Sequence, residues 1–275
     1  MAGAETESEA GAPRVDTHAH VYHAGMPLAG DAWHEPSGEA RLEDYLACLD
    51  AAGIERAVLA AASLFGTNND YALAATVAEP RLRTTVIVDP DVDSAVLRDM
   101  DAAGAVGIRL QWRSTPEPPD LDSPEWRRLL RNVADLGWHV QLHDNGWRLP
   151  GAIERIEASG APLVIDHFGR PDKAKGVDCA GFRAVLRAVE RGNTWVKLSG
   201  DFRVGPDALV RDLTDALLRH AGPERLFWGS DWPFAAFEGQ VTYAQTVVRF
   251  GELVPDAALR DAIHRTANAF YFGDA

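Results

Sequence analysis

Residues 139–170 read HVQLHDNGWRLPGAIERIEASGAPLVIDHFGR. A short strand pattern at 139–143 is followed by an amphipathic stretch at 150–158, then Gly160, then a second strand pattern at 163–167. Short strand, longer helix and short strand in that order imply parallel strands with a crossover helix, since antiparallel neighbours need only a tight turn. The unit repeats in both directions. Strand patterns fall at 14–17, 56–62, 83–88, 106–111, 139–143, 163–167, 194–198 and 225–229. Helical patterns fall between them at 42–52, 71–78, 92–102, 125–136, 150–158, 181–191 and 206–220, and 255–271 closes the series. Gly53, Gly104, Gly137, Gly160 and Gly192 each stand between a helix and the next strand. There, a left-handed residue ends a helix at little steric cost.

Eight such units favour a closed barrel over an open sheet. The predicted fold is α/β, a single (β/α)8 TIM barrel, and 275 residues suit one barrel of about 250 residues. The barrel is assigned to residues 14–275. Residues 1–13, rich in Ala, Gly and Glu, are read as a disordered N-terminal tail. That tail lacks the basic segment and apolar run of a secretory signal, so a cytoplasmic protein is expected. Cys48 and Cys179 are far apart and outside metal-ligand spacing, which fits a reducing compartment. A net charge of −14 argues against a nucleic-acid partner. No apolar run approaches the roughly 18 residues of a membrane span. The sequence is compatible with a monomer or a homo-oligomer. The long stretch between the first strand and first helix, 22–40, has the length of a functional loop.

The chemistry gathers at strand ends. Asp16-Thr17-His18-Ala19-His20 closes the first strand, and in a strand residues i and i+2 share a face. His18 and His20 therefore point together toward the barrel mouth, where they suit a metal or a polarised carbonyl. Gln141 and His143 share a face at the end of strand five. Asp166-His167 ends strand six, and Ser230-Asp231 follows strand eight. Barrel active sites are assembled at this end of the strands. Cations collect there too. Arg109 and Arg113 belong to strand four and its loop, Arg170 follows strand six, and Lys197 and Arg203 are assigned to the region following strand seven. On so acidic a chain, cations at one mouth point to a small anionic substrate, and Arg suits bidentate carboxylate recognition.

The blocks VDTHAHV, GIRLQW, GWHVQLH, VIDHFGRPD and FWGSDWP together resemble the amidohydrolase superfamily. Within it, the similarity is to the branch holding 2-pyrone-4,6-dicarboxylate lactonase and sugar-acid lactonases, from about Val15 to the C-terminus. The resemblance implies a hydrolase that opens a carboxylated lactone or pyrone. Asp231 would activate water, with His18, His20 and His167 polarising the ring carbonyl. Arg109 and Arg203 would hold substrate carboxylate, with Ser63, His143 and Arg113 as further substrate contacts. Two departures stand out. His143 replaces a tyrosine of the pyrone lactonase, and Arg113 lies in a different register from that enzyme's second loop arginine. The pyrone lactonase works without metal, whereas other branches hold one divalent ion. The implied cofactor is therefore none or one divalent metal, Zn²⁺ being the best match, held by His18, His20, His143 and Asp231. The strand-four lysine of binuclear relatives is absent. Two other readings stay open: a metal-dependent decarboxylase of the same superfamily, and a non-catalytic barrel that binds small carboxylates.

Overall fold

The computed structural model describes residues 12–273. Eight parallel strands lie in the order β1 to β8: Val15–Ala19, Arg56–Leu59, Leu82–Val86, Ala105–Gln111, His139–His143, Leu163–Ile165, Thr194–Ser199 and Leu226–Gly229. The ring closes between its first and last strands. Ala19 bridges Trp232, the Trp232 carbonyl accepts from His20 N at 2.8 Å, and the His18 carbonyl accepts from Asp231 N at 2.8 Å. The expected (β/α)8 barrel is the observed fold. Most of the expected tail lies outside the described residues. Pro13, at its end, is tied down, because its carbonyl accepts from Asn268 Nδ2 at 2.6 Å.

The helices are α1 (Leu42–Ala52), α2 (Asp70–Ala78), α3 (Ser94–Ala102), α4 (Pro124–Asp135), α5 (Leu149–Ala158), α6 (Ala180–Arg191), α7 (Asp201–Val204), α8 (Asp207–Ala221), α9 (Tyr243–Leu253) and α10 (Ala257–Phe272). Their amphipathic spacing does what the sequence pattern implies. In α4, Trp126, Leu129, Leu130 and Val133 are buried, an i, i+3, i+4, i+7 stripe. Each such side chain contributes roughly 1.5–3 kcal/mol when withdrawn from water. The five helix-ending glycines have φ between 63° and 95°.

Some elements depart from the sequence pattern. α9 and the short α7 lie in stretches where no helix is expected. α9 begins with a capping box between Thr242 and Gln245, a local signal of the helix start. β6 ends at Ile165, two residues before the expected end, because His167 and Phe168 turn left-handed with φ 51° and 57°. α10 adds a second layer of core. Its Ala267 and Tyr271 pack with Val15, Val58, Val164 and Phe227, which come from strands on opposite sides of the ring and so fill its interior.

Backbone crosses backbone where the β5–α5 loop meets the start of α6. A Cβ on Gly181 would lie 1.9 Å from the Gly146 carbonyl oxygen, and one on Gly146 would lie 2.6 Å from that of Arg170. Gly181→Ala is expected to lower stability by about 3 kcal/mol or more in urea unfolding. A loss below about 1 kcal/mol would mean that the crossing relaxes freely.

Candidate active site

The left-handed turns after β6 and β8 aim two side chains into the barrel mouth. His167 has φ 51° and Asp231 has φ 65°, and only local compensation makes such backbone tolerable for non-glycine residues. Here that compensation is hydrogen bonding. Phe234 N donates to the Asp231 carbonyl, and Arg170 N donates to that of His167.

Asp231 Oδ1 is the centre of the arrangement. His18 Nε2 lies 3.6 Å from it, His20 Nε2 3.7 Å and His167 Nε2 3.8 Å. Its second oxygen, Oδ2, accepts from Arg203 Nε at 2.5 Å. Burial alone would raise the Asp231 pKa. Arg203 and the neighbouring histidines outweigh it and hold the carboxyl well below the usual carboxylate range. The group is therefore ionised, and it is only 2% exposed.

Behind this layer is a buried polar hub that the sequence reading missed. Asp166 Oδ1 and Oδ2 accept from Gln141 Nε2 at 2.9 and 3.0 Å, and Oδ2 accepts from Arg109 Nε and Nη2 at 3.3 Å each. Lys197 Nζ lies 3.8 Å from Oδ1 and donates to the Thr17 carbonyl at 2.7 Å. Burial would push the Asp166 carboxyl up, but His18, Lys197 and Arg109 hold it well below its ordinary value. Burial in turn pulls Lys197 down to about 8. Lys197, taken from the sequence as a mouth cation, lies inside β7, within the strand pattern at 194–198, and faces the barrel interior, where it is a buried ion-pair partner. Its position i+2 from Trp195 on a buried strand carried that signal.

The remaining expected residues divide by what they already touch. A cavity of about 290 Å³ is lined by His20, Ser63, Arg109, Arg113, His143, His167, Arg170, Arg203 and Asp231. Arg109 is committed inward, because Nη1 also donates to the Ala61 carbonyl at 2.8 Å. Arg203 uses Nε on Asp231 and Nη1 on the Ala235 carbonyl. Arg113 has no side-chain partner among the described residues, and Arg170 donates only through Nη1, to the Arg203 carbonyl. Burial, with Arg113 and Arg203 nearby, lowers the Arg170 pKa to about 10. Ser63 Oγ accepts from Trp33 Nε1 at 3.3 Å, which draws the 22–40 loop over the cavity. Of the other aromatic groups that could line the site, Trp112 packs into the core and Trp147 is mostly exposed.

The donor set for a metal is narrower than expected. His18 Nε2, buried and without a partner, is grouped with His20 and Asp231, and the three ligand atoms lie within 4.8 Å of one another. His20 Nδ1 meets the Ala60 carbonyl at 2.8 Å, so that nitrogen carries the proton and Nε2 presents its lone pair. These atoms fit one divalent cation. Among the described residues, His143 belongs to neither of the groups that could hold an ion.

The chain belongs to the amidohydrolase family, whose model matches residues 15–273. It is 30% identical, over 94% of its length and 89% of the relative's, to the 4-sulfomuconolactone hydrolase of Rhizobium radiobacter. It is 31% identical, over 80% of its length and 76% of the relative's, to a 2-pyrone-4,6-dicarboxylate hydrolase of Comamonas testosteroni. Among solved structures, it matches a probable 2-pyrone-4,6-dicarboxylic acid hydrolase of Acinetobacter baumannii with citric acid bound. The TM-score is 0.90 at 30% identity, covering 95% of this chain and 99% of that one. No helix among the described residues is long and apolar enough to cross a membrane.

Buried neutral histidines set an acid limit on stability. Burial lowers His139 to about 3, and His167 and His264 to about 4, from an unfolded value near 6.5. Below that value the unfolded chain binds protons that the folded one refuses. Their stabilising effect is therefore complete above about pH 6.5 and is lost as pH falls toward 4, by about 1.4 kcal/mol per unit for each histidine. Urea unfolding at pH 7 and pH 5 is expected to show a loss of several kcal/mol. A flat response would mean that these rings are solvated.

Proposed function

We propose that this amidohydrolase-family protein hydrolyses a carboxylated lactone or pyrone, with Asp231 as the base that activates water. The observation that carries the reading is the ionised Asp231 carboxylate ringed by three imidazoles, on a cavity whose lining also holds guanidinium groups. The relatives named as hydrolases of sulfomuconolactone and pyrone dicarboxylate support the same substrate class.

The chemistry follows from these positions. Water held against Asp231 Oδ1 loses a proton to the carboxylate as its oxygen adds to the ring carbonyl carbon. Charge then grows on the carbonyl oxygen. Arg203 Nη2, with no partner among the described residues, is a donor for that oxygen, and the imidazoles of His18, His20 and His167 gather beside the base. Arg203 also orients the base through its 2.5 Å contact. Arg113 and Arg170 have uncommitted N–H groups for the substrate carboxylate, while Ser63 borders the cavity on the side of Trp33. Arg109 acts on the substrate with what remains after Asp166 and the Ala61 carbonyl are served. A divalent ion, when bound, would be held by His18, His20 and Asp231 and would supply Lewis-acid polarisation.

A pH-indicator screen of carboxylated lactones and pyrones tests the reading. Wild type is expected to release acid, and Asp231→Asn to lose about a thousandfold or more of kcat with an unchanged circular dichroism spectrum. Substantial activity in the variant would remove Asp231 as the base.

Metal content is read separately, by elemental analysis after equilibration with Zn²⁺. Where about one equivalent is retained, His20→Ala is expected to release it and His143→Phe to retain it. Loss of metal from the His143 variant would return that residue to the ligand set.

A further inference from the structure

His143 ends β5 with an imidazole only 7% exposed, and neither ring nitrogen has a hydrogen-bond partner among the described residues. Buried polar groups are almost always paired, so a doubly orphaned ring on a cavity wall is built to meet an atom of a ligand. The ring stands edge-on to His167 with centroids 4.7 Å apart. That places it one ring beyond the imidazoles facing Asp231. Burial, then His167 and Arg109, hold it well below its ordinary pKa, with Arg170 adding to them and Asp166 opposing. Gln111, its register partner on β4, is uncharged. A neutral imidazole offers one N–H donor, and the cations nearby favour an electron-rich oxygen as its acceptor.

We infer that His143 is a catalytic residue that donates a hydrogen bond to the ring oxygen of the lactone as the acyl C–O bond breaks. The inference rests on the lactone-hydrolase reading above. A carboxylated lactone presents three kinds of acceptor. Its carboxylate pairs best with the guanidinium groups of Arg113 and Arg170, because charge-assisted bonds are the stronger ones. Its carbonyl oxygen is served by the groups around Asp231. The ring oxygen, bonded to the same carbon, is the acceptor left for the neighbouring His143. In the first step the water oxygen bonds to the carbonyl carbon and its proton goes to Asp231. In the second step the acyl C–O bond breaks, the electron pair leaves on the ring oxygen, and the proton held by Asp231 returns to that oxygen. His143 keeps its own proton throughout and stabilises the leaving oxygen by hydrogen bonding.

The test compares two carboxylated lactones of equal ring size, one with an alkanol ring oxygen and one with an enol ring oxygen. An enol oxygen leaves readily and needs little help. His143→Phe is expected to lower kcat/KM roughly a hundredfold on the alkanol lactone and less than about threefold on the enol lactone. His143→Gln, which keeps an N–H donor, is expected to recover most of the loss. If the Phe variant does not fold, His143→Leu, which also lacks a donor, supplies the same comparison. Equal losses on both lactones, or a change confined to KM, would overturn the role of His143 and leave lactone hydrolysis standing. No hydrolysis of either lactone by wild type would overturn the lactonase reading and this role with it.

Discussion

The seam between β1 and β8 is the constraint on which the site depends, and Asp16 holds it closed. Its Oδ1 accepts from Ser230 N at 2.9 Å and His18 N at 3.1 Å. Its Oδ2 accepts from Ser230 Oγ at 2.6 Å and from the hydroxyls of Tyr45 and Tyr243 at 3.0 Å each. One fully buried carboxylate thus ties the first strand, the residue before Asp231, α1 and α9 together. Burial pushes its pKa up, and the Ser230 and backbone hydrogen bonds pull it back. A buried group so fully bonded is costly to lose, because each donor would be left dry. The neighbouring carboxylate, Asp231, is then free for chemistry.

The site also resolves an electrostatic difficulty. On the proposed function a chain of net charge −14 admits an anion. Two carboxylates at the mouth are offset by cations. Asp166 and Asp231 each sit among cations, and the guanidinium groups of Arg113 and Arg170 remain facing the cavity. Buried ion pairs of this kind add little net stability once desolvation is counted. Their value here lies in position. Asp166 fixes Arg109 and Gln141, and Arg203 fixes the orientation of Asp231.

Much of this was legible in the sequence, and the reasons differ by residue. The barrel was written in strand-helix alternation and in glycines at helix ends, both local signals. His18, His20 and Asp231 were legible because strand period and barrel polarity place strand-end residues together. His167 was found by the same logic although its strand stops short of it, since a left-handed turn aims it where a strand would have. Asp166 was not assigned its role, and Lys197 was legible as a mouth cation or a buried ion-pair partner without its partner being named, because a pairing between β6 and β7 depends on which strand faces which. Arg109 was legible as a cation at the mouth. Its commitment to Asp166 and the Ala61 carbonyl is a tertiary fact. The inclusion of His143 among metal ligands followed from strand ends alone, whereas the atoms the fold groups together are those of His18, His20 and Asp231.

The clasp at the seam has a consequence in time. Asp16 and Ser230 are 214 residues apart, yet their bond precedes any working geometry at Asp231. Contacts of such separation carry a large loop-closure entropy and form late in folding. During synthesis, a ribosome that has released the first seven strands holds a chain with His18 and His20 but without Asp231, the base proposed above. On the proposed mechanism, catalytic competence arrives in one step, with the last strand.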